Sequence, residues 1–168
     1  KHNNLESLED VLVKLESKKF KETFVCVEGV YSMDGDLAKL PEIAQKCKKH
    51  GAALILDDAH GTGILGNNGG GTAEHFQLGE DVDISMGTFS KVFALTGGFL
   101  SADKDLIDFI RYFSRPYVFS AALPPVTIAS VLAGLDLIES EPWRRKKVLE
   151  NTKYAVRKLE EFELTAKP

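Results

Sequence analysis

Two short apolar, β-prone runs separated by one helix-length segment constrain this chain more than any other feature. The first run is Thr23-Phe24-Val25-Cys26-Val27. A polar loop with two glycines follows, and then Pro41 opens a segment with Ile43, Ala44 and Cys47 on one side and His50-Gly51 at its end. Proline suits a helix start, where its missing N–H is no loss. The second run, Ala52-Ala53-Leu54-Ile55-Leu56, leads straight into Asp57-Asp58-Ala59-His60. Both runs read as buried strands. Strand, helix and strand within this length make a βαβ unit, whose long crossover implies parallel pairing.

The remaining pattern extends that unit. Asn3 or Asn4 caps a helix in which Leu5, Leu8, Val11, Leu12 and Leu15 recur at helical spacing. Gly61–Gly71 is a long glycine-rich loop, Asp81–Met86 a third strand and Gly97–Ala102 a fourth. Lys104–Phe113 reads as a helix, Pro124-Pro125 open another up to Ile138, and Pro142 opens a last one through Leu159. The expected class is α/β, a three-layer α/β/α arrangement with a mostly parallel sheet. Its polar signals gather at strand C-termini, where open parallel sheets bind ligands.

Composition excludes several roles. With 43% hydrophobic and 27% charged residues the chain is an ordinary globular one, and a net charge of -4 offers no basic footprint for nucleic acid. The lysines at 18, 19 and 21 and at 46, 48 and 49 read as solvated helix ends. Cys26 and Cys47 lack metal-ligand spacing and fit reduced thiols of a cytoplasmic protein. No apolar run approaches the ~20 residues of a membrane span, and no secretory signal opens the sequence.

The chemistry centres on Lys91, in Gly87-Thr88-Phe89-Ser90-Lys91. A lysine forms a Schiff base with a carbonyl when its surroundings let it become neutral. Most single lysines are surface residues, but hydroxyls at Thr88 and Ser90 suit a phosphate beside it. Asp57, at a strand end, fits either a turn or the acidic partner that pyridoxal phosphate needs on its ring nitrogen. His60, three residues on, reaches toward a ring substituent, whereas Asp58 reads as structural. Ser32, closing the loop after the first strand, fits a turn serine or a bond to the ring oxygen equally well.

Taken in order, Glu28-Gly29-Val30-Tyr31-Ser32-Met33-Asp34-Gly35-Asp36, then Asp57-Asp58-Ala59-His60-Gly61-Thr62-Gly63, then Gly87-Thr88-Phe89-Ser90-Lys91 resemble the motif set of the α-oxoamine synthases. These are fold-type I pyridoxal-phosphate enzymes that condense an amino acid with an acyl-CoA, mostly with decarboxylation. The resemblance implies that residues 1–140 are the central part of the cofactor-binding large domain and that 141–168 lead toward a small domain. It implies Lys91 as the cofactor's covalent partner and Asp57 as the partner of its ring nitrogen. His60 and Ser32 would lie at the ring oxygen, with Thr88 and Ser90 at the phosphate. Ser120, in Phe119-Ser120-Ala121-Ala122-Leu123-Pro124-Pro125, matches a segment reaching the phosphate of a neighbouring subunit in a homodimer. Ala121 departs from the threonine common there, which weakens that expected contact.

The pattern Val92-Phe93-Ala94 with Gly97-Gly98-Phe99, and Gly71-Thr72-Ala73-Glu74-His75-Phe76, lean toward soluble bacterial members that join L-serine to a long-chain acyl-CoA. Branches making 8-amino-7-oxononanoate or 2-amino-3-oxobutyrate are the alternative, as is a non-catalytic scaffold subunit, which would lack the lysine. The family's ring-stacking aromatic, its N-terminal phosphate loop and its substrate-binding arginine have no counterpart here. The chain is therefore expected to be a segment of a longer enzyme, inactive alone. Competing readings are weak. The glycines of 61–71 complete no P-loop, a metal site from Asp57, Asp58, His60 and His75 leaves Lys91 unexplained, and no Gly-x-Ser-x-Gly elbow supports a serine hydrolase.

Overall fold

The computed structural model describes residues 1–18 and 20–164. Lys19 of the first lysine cluster and residues 165–168 of the terminal segment lie outside the described residues. The elements are α1 (Leu5–Glu16), β1 (Phe24–Glu28), α2 (Leu40–His50), β2 (Ala53–Asp57), α3 (Thr72–Phe76), β3 (Ile84–Thr88), β4 (Gly98–Ala102), α4 (Lys104–Phe113), α5 (Arg115–Val118), α6 (Pro125–Ser140) and α7 (Trp143–Glu161). The strands lie side by side in the order β1-β2-β3-β4, the first three parallel and β4 antiparallel to β3. The expected βαβ unit is present.

Local chemistry sets the helix ends. Asn4 caps α1, its side chain accepting from the Ser7 amide at 2.7 Å. Pro41 lies in the first turn of α2, and Gly51 ends that helix in the left-handed region at φ 62°. Leu12 of α1 and Leu40, Ile43, Ala44 and Cys47 of α2 pack on Val25, Leu54 and Leu56 of the sheet. Each such aliphatic side chain removed from water stabilises the fold by roughly 1.5–3 kcal/mol. Burial lifts the Cys47 thiol to about 11, so it is an inert core residue. Cys26 is exposed, and both cysteines are free thiols.

Two expectations are corrected, and one element is added. The first run is only half buried, because Val25 faces α1 and α2 while Phe24 and Cys26 point to the opposite, open face. The third strand begins later, after the Asp83 carboxylate takes the Leu54 amide at 2.7 Å, and runs further, to Thr88, where it still pairs with Gly98 of β4. The glycine-rich loop is followed by the short helix α3, which apolar periodicity did not reveal. In α6 only Val131 is buried, and Val126, Ile128, Leu132, Leu135 and Leu137 stay exposed despite the helix's apolar sequence.

Helices lie on both faces of the sheet, but the second face stays open beside β1. On the face opposite α1 and α2, Ile107 and Ile110 of α4 and Tyr117 of α5 line a cleft of about 560 Å3 with Met86, Thr88 and Leu100. Among the described residues, no helix is long and apolar enough to cross a membrane.

Candidate active site

The C-terminal ends of three parallel neighbours, β1, β2 and β3, form one edge. Glu28, Asp57 and Met86 stand in register across it. Side chains alternate along a strand, so Asp57 and Thr88 emerge on the same face, away from Leu54 and Leu56. This brings the residues singled out above to a common edge. Ser32 follows β1, Asp57 ends β2 with His60 three residues on, and Thr88, Ser90 and Lys91 end β3 and begin its turn.

The loop after β1 folds on itself. Tyr31 N–H donates to the Asp36 carbonyl at 2.9 Å, Gly35 N–H to that of Tyr31 at 2.7 Å, and Val30 bridges Leu37. Ser32 is exposed, and its amide donates to Glu28 Oε2 at 2.9 Å. Asn3 ties this loop to the start of the chain through its Nδ2, which donates to Asp36 Oδ2 at 2.9 Å and to the Leu37 carbonyl at 2.8 Å. His2, and next Asn3, hold the Asp36 carboxyl below its ordinary range by hydrogen bonding.

After β2, Asp57 and Asp58 diverge. Asp57 is partly exposed, and its Oδ1 accepts the Ala59 amide at 3.1 Å, forming a turn. Asp58, 2% exposed, turns inward, where Oδ2 accepts the Thr72 amide at 2.7 Å and Oδ1 the Thr72 hydroxyl at 2.5 Å. Thr72 is fully buried. Burial, opposed by those hydrogen bonds, raises the Asp58 carboxyl above its ordinary value. The structural reading of Asp58 therefore holds. Its partner Thr72 had no signal in local sequence beyond its place after Gly71.

The loop between β2 and α3 is ordered by two side chains that the sequence did not mark. Glu74 accepts from the amides of Asn68 at 3.0 Å and Gly70 at 2.7 Å. Arg145, 8% exposed at the start of α7, donates Nη2 to the Asn67 carbonyl at 2.7 Å and Nη1 to that of Ile138. The loop is thereby fastened to the α6–α7 corner.

The Lys91 turn alternates packed rings with exposed polar groups. Phe89 is 7% exposed, with ring centroids 5.6 Å from Phe93 and 5.8 Å from Phe99. Gly134 leaves room for Phe93, since a Cβ there would lie 2.7 Å from its ring, and Gly63 does the same for Val92 at 2.8 Å. Between these anchors Ser90 and Lys91 are exposed. Phe89 N–H donates to the Gly97 carbonyl at 2.9 Å and Leu95 N–H to that of Phe89 at 2.7 Å, closing the turn. Thr88 Oγ1 and Ser90 Oγ are 2.8 Å apart. Ser120 stands exposed after α5, its hydroxyl donating to the Pro116 carbonyl at 2.5 Å. The segment containing it passes close to the turn, for a Cβ on Gly97 would lie 2.9 Å from Leu123 Cδ2.

The edge thus offers a carboxylate, an imidazole, two adjacent hydroxyls and an exposed amine. That donor set fits an aromatic aldehyde carrying a phosphate, because the amine can attach the aldehyde, the hydroxyls can bind phosphate and the carboxylate can hold a protonated ring nitrogen.

Known proteins resemble this chain in sequence and in fold. The chain is 43% identical over 162 residues to an 8-amino-7-oxononanoate synthase of Petrotoga mobilis, covering 96% of this chain and 41% of that protein. It is 43% identical over 168 residues to a serine palmitoyltransferase of Bacteroides ovatus, covering 99% of this chain and 42% of that one. Among solved structures, a serine palmitoyltransferase from S. paucimobilis with a bound PLP–myriocin aldimine superposes with a TM-score of 0.89 at 34% identity, covering 95% of this chain and 41% of that one. The chain spans about two fifths of the length of these relatives. Both curated relatives are α-oxoamine synthases, and the fold is that of the fold-type I pyridoxal-phosphate enzymes. The family described as aminotransferase class I and II matches residues 1–168, and the chain belongs to it.

Proposed function

We propose that the full-length protein is a pyridoxal-phosphate-dependent acyltransferase that condenses an amino acid, L-serine by preference, with an acyl-CoA and releases carbon dioxide. The observation that carries this reading is the Lys91 turn. An exposed amine directly follows two converging hydroxyls, one strand away from Asp57 on the same sheet face. When bound, pyridoxal phosphate supplies an electron-accepting ring.

In this reading the protein's own groups divide the work. The Lys91 amine would hold the cofactor through its aldehyde carbon and, when free, would take the substrate's α-proton. Asp57 holds the ring nitrogen protonated, which keeps the ring able to accept charge. His60 and Ser32 contact the ring oxygen, and Thr88 and Ser90 hold the phosphate. Residues 1–140 act as part of the large domain, and 141–168 lead toward a small domain after the break at Glu141-Pro142. The exposed apolar face of α6 and the position of the Ser120 segment support a homodimer with shared sites. The free thiols support a reducing, cytoplasmic setting.

A second reading, an 8-amino-7-oxononanoate synthase, is favoured by the equal 43% identity to the Petrotoga protein. Visible absorbance of the full-length protein with pyridoxal phosphate separates the two. A spectral change with serine alone supports the first, and a change with alanine or glycine supports another synthase. No cofactor band in folded protein would instead indicate a non-catalytic scaffold subunit.

A further inference from the structure

Asp58 and Thr72 form the most enclosed polar contact among the described residues, and three glycines close around it. A Cβ on Gly29, in the loop after β1, would lie 2.3 Å from Thr72 Oγ1. One on Gly61 would lie 2.1 Å from Asp58 Oδ1, and one on Gly71 would lie 1.8 Å from Asp58 Oδ2. Real Cβ atoms do not approach so closely, so the loop after β1 and both ends of the loop between β2 and α3 converge on one carboxylate and one hydroxyl. Both loops carry site residues. Gly29 stands three residues before Ser32, Asp58 follows Asp57, and Gly61 follows His60. Further hydrogen bonds bind the same loops. Gly29 N–H donates to the Asp57 carbonyl at 2.8 Å, and the amides of Gly61 and Thr62 donate to that of Asp58 at 3.2 and 2.9 Å.

We propose that Thr72 is a positioning residue. Through Asp58 it locks the 29–32, 57–62 and 71–72 backbones into one unit that holds Asp57, His60 and Ser32 in place for the cofactor. Thr72 touches no reacting atom. It supplies both donors that satisfy the buried Asp58 carboxylate, and a buried acceptor deprived of its donor relaxes toward water or another partner. Any such relaxation turns the Asp57–Ala59 backbone, because Asp57 and Asp58 share a peptide bond. The cofactor part of this inference rests on the reading of Asp57 and His60 given above.

The test uses the full-length protein. Thr72→Val keeps the shape and the amide but removes the hydroxyl. It is expected to weaken pyridoxal-phosphate binding roughly tenfold and to shift the pH midpoint of the bound cofactor's visible absorbance. Thr72→Ser, which restores the hydroxyl, is expected to stay within about twofold of the parent. A lower melting temperature with parental affinity and spectrum would make Thr72 an ordinary core residue and overturn the proposal. Should Thr72→Val fail to fold, Asp58→Asn removes one of the two acceptors and carries the same expectation.

Amide hydrogen exchange of the cofactor-free protein separates this proposal from the cofactor reading. Thr72→Val is expected to speed exchange at 29–37 and 58–65 together, leaving α1 and α2 unchanged. Exchange altered only within 71–76 would show that the loops are not one unit. Uptake of no cofactor by the parent would defeat the functional reading while leaving the exchange result to decide on the lock.

Discussion

Thr88 Oγ1 and Ser90 Oγ lie 2.8 Å apart, and the Ser90 amide donates to Thr88 Oγ1 at 3.2 Å, so two hydroxyls and an N–H converge just before Lys91. The pair is exposed enough to exchange its mutual bond for bonds to an anion. Hydrogen bonds to charged acceptors contribute roughly 1.5–3 kcal/mol each. Ser90→Ala in the full-length protein is therefore expected to weaken pyridoxal-phosphate binding by roughly tenfold or more. Equilibrium titration followed by absorbance checks this, and an unchanged dissociation constant would remove Ser90 from the phosphate site.

Lys91 is exposed, while its turn is held by Phe89, Val92 and Phe93. Lys91→Ala should leave stability within about 0.5 kcal/mol of the parent, as at most surface positions. The same change should abolish the borohydride-reducible adduct between protein and cofactor. Peptide mapping after reduction gives the answer directly: a surviving lysine adduct in the variant would assign the attachment elsewhere.

Asp57 has two roles that substitution can separate. Asparagine keeps an oxygen able to accept the Ala59 amide, now 3.1 Å from Asp57 Oδ1, so the turn should persist. It removes the negative charge from the cofactor ring, and loss of such preorganised electrostatic support costs on the order of 10²–10³ in turnover. Steady-state rates at saturating cofactor should show that fall. Parental turnover would return Asp57 to the role of a turn residue.

The crowding around Asp58 gives a stability prediction with an internal control. Gly61→Ala places a methyl group 2.1 Å from Asp58 Oδ1, whereas Gly79→Ala meets nothing within 4 Å. The first should destabilise by at least the roughly 1–3 kcal/mol typical of overpacking, and the second by no more than about 0.5 kcal/mol. Denaturant melts of both variants make the comparison, and equal losses would contradict the packing described.

What was legible in the sequence follows from what periodicity and punctuation encode. Pro41, Gly51, Pro125 and Pro142 mark helix ends by backbone constraint alone, so those boundaries were readable to within a residue or two. Asp57, Thr88, Ser90 and Lys91 were readable as candidates because each sits at or just beyond a strand's C-terminal end, where a parallel sheet presents side chains to a ligand. Thr72, Glu74 and Arg145 were not, since their roles depend on contacts with residues 14, 6 and 78 positions away. The half-exposed face of β1 and the exposed apolar face of α6 were also hidden, because an apolar run does not say which of its sides has a partner.

A network of four ion pairs between α1 and α2 predicts how stability responds to pH. The His50 side chain is 4% exposed, with Nδ1 2.5 Å from Glu16 Oε1 and Nε2 3.0 Å from Glu9 Oε1. Both ring nitrogens face carboxylates, so the protonated ring is favoured. Glu16, and then Glu9, raise His50 above its ordinary 6.5. Glu9 also accepts from Lys46 at 2.6 Å and from Lys49, and these bonds, Lys46 foremost, hold its carboxyl far below its ordinary 4.5. A raised base stabilises fully below its unfolded value and loses that contribution as pH rises through the folded one. A depressed acid stabilises fully above its unfolded value and loses it as pH falls toward the folded one. The network should therefore contribute most between 4.5 and 6.5, weakening above that window through His50 and below it through Glu9. Melting temperatures of the parent and of His50→Gln across this range test the assignment. The variant should lose the alkaline fall and keep the acid one, and an unchanged alkaline fall would mean that another group titrates there.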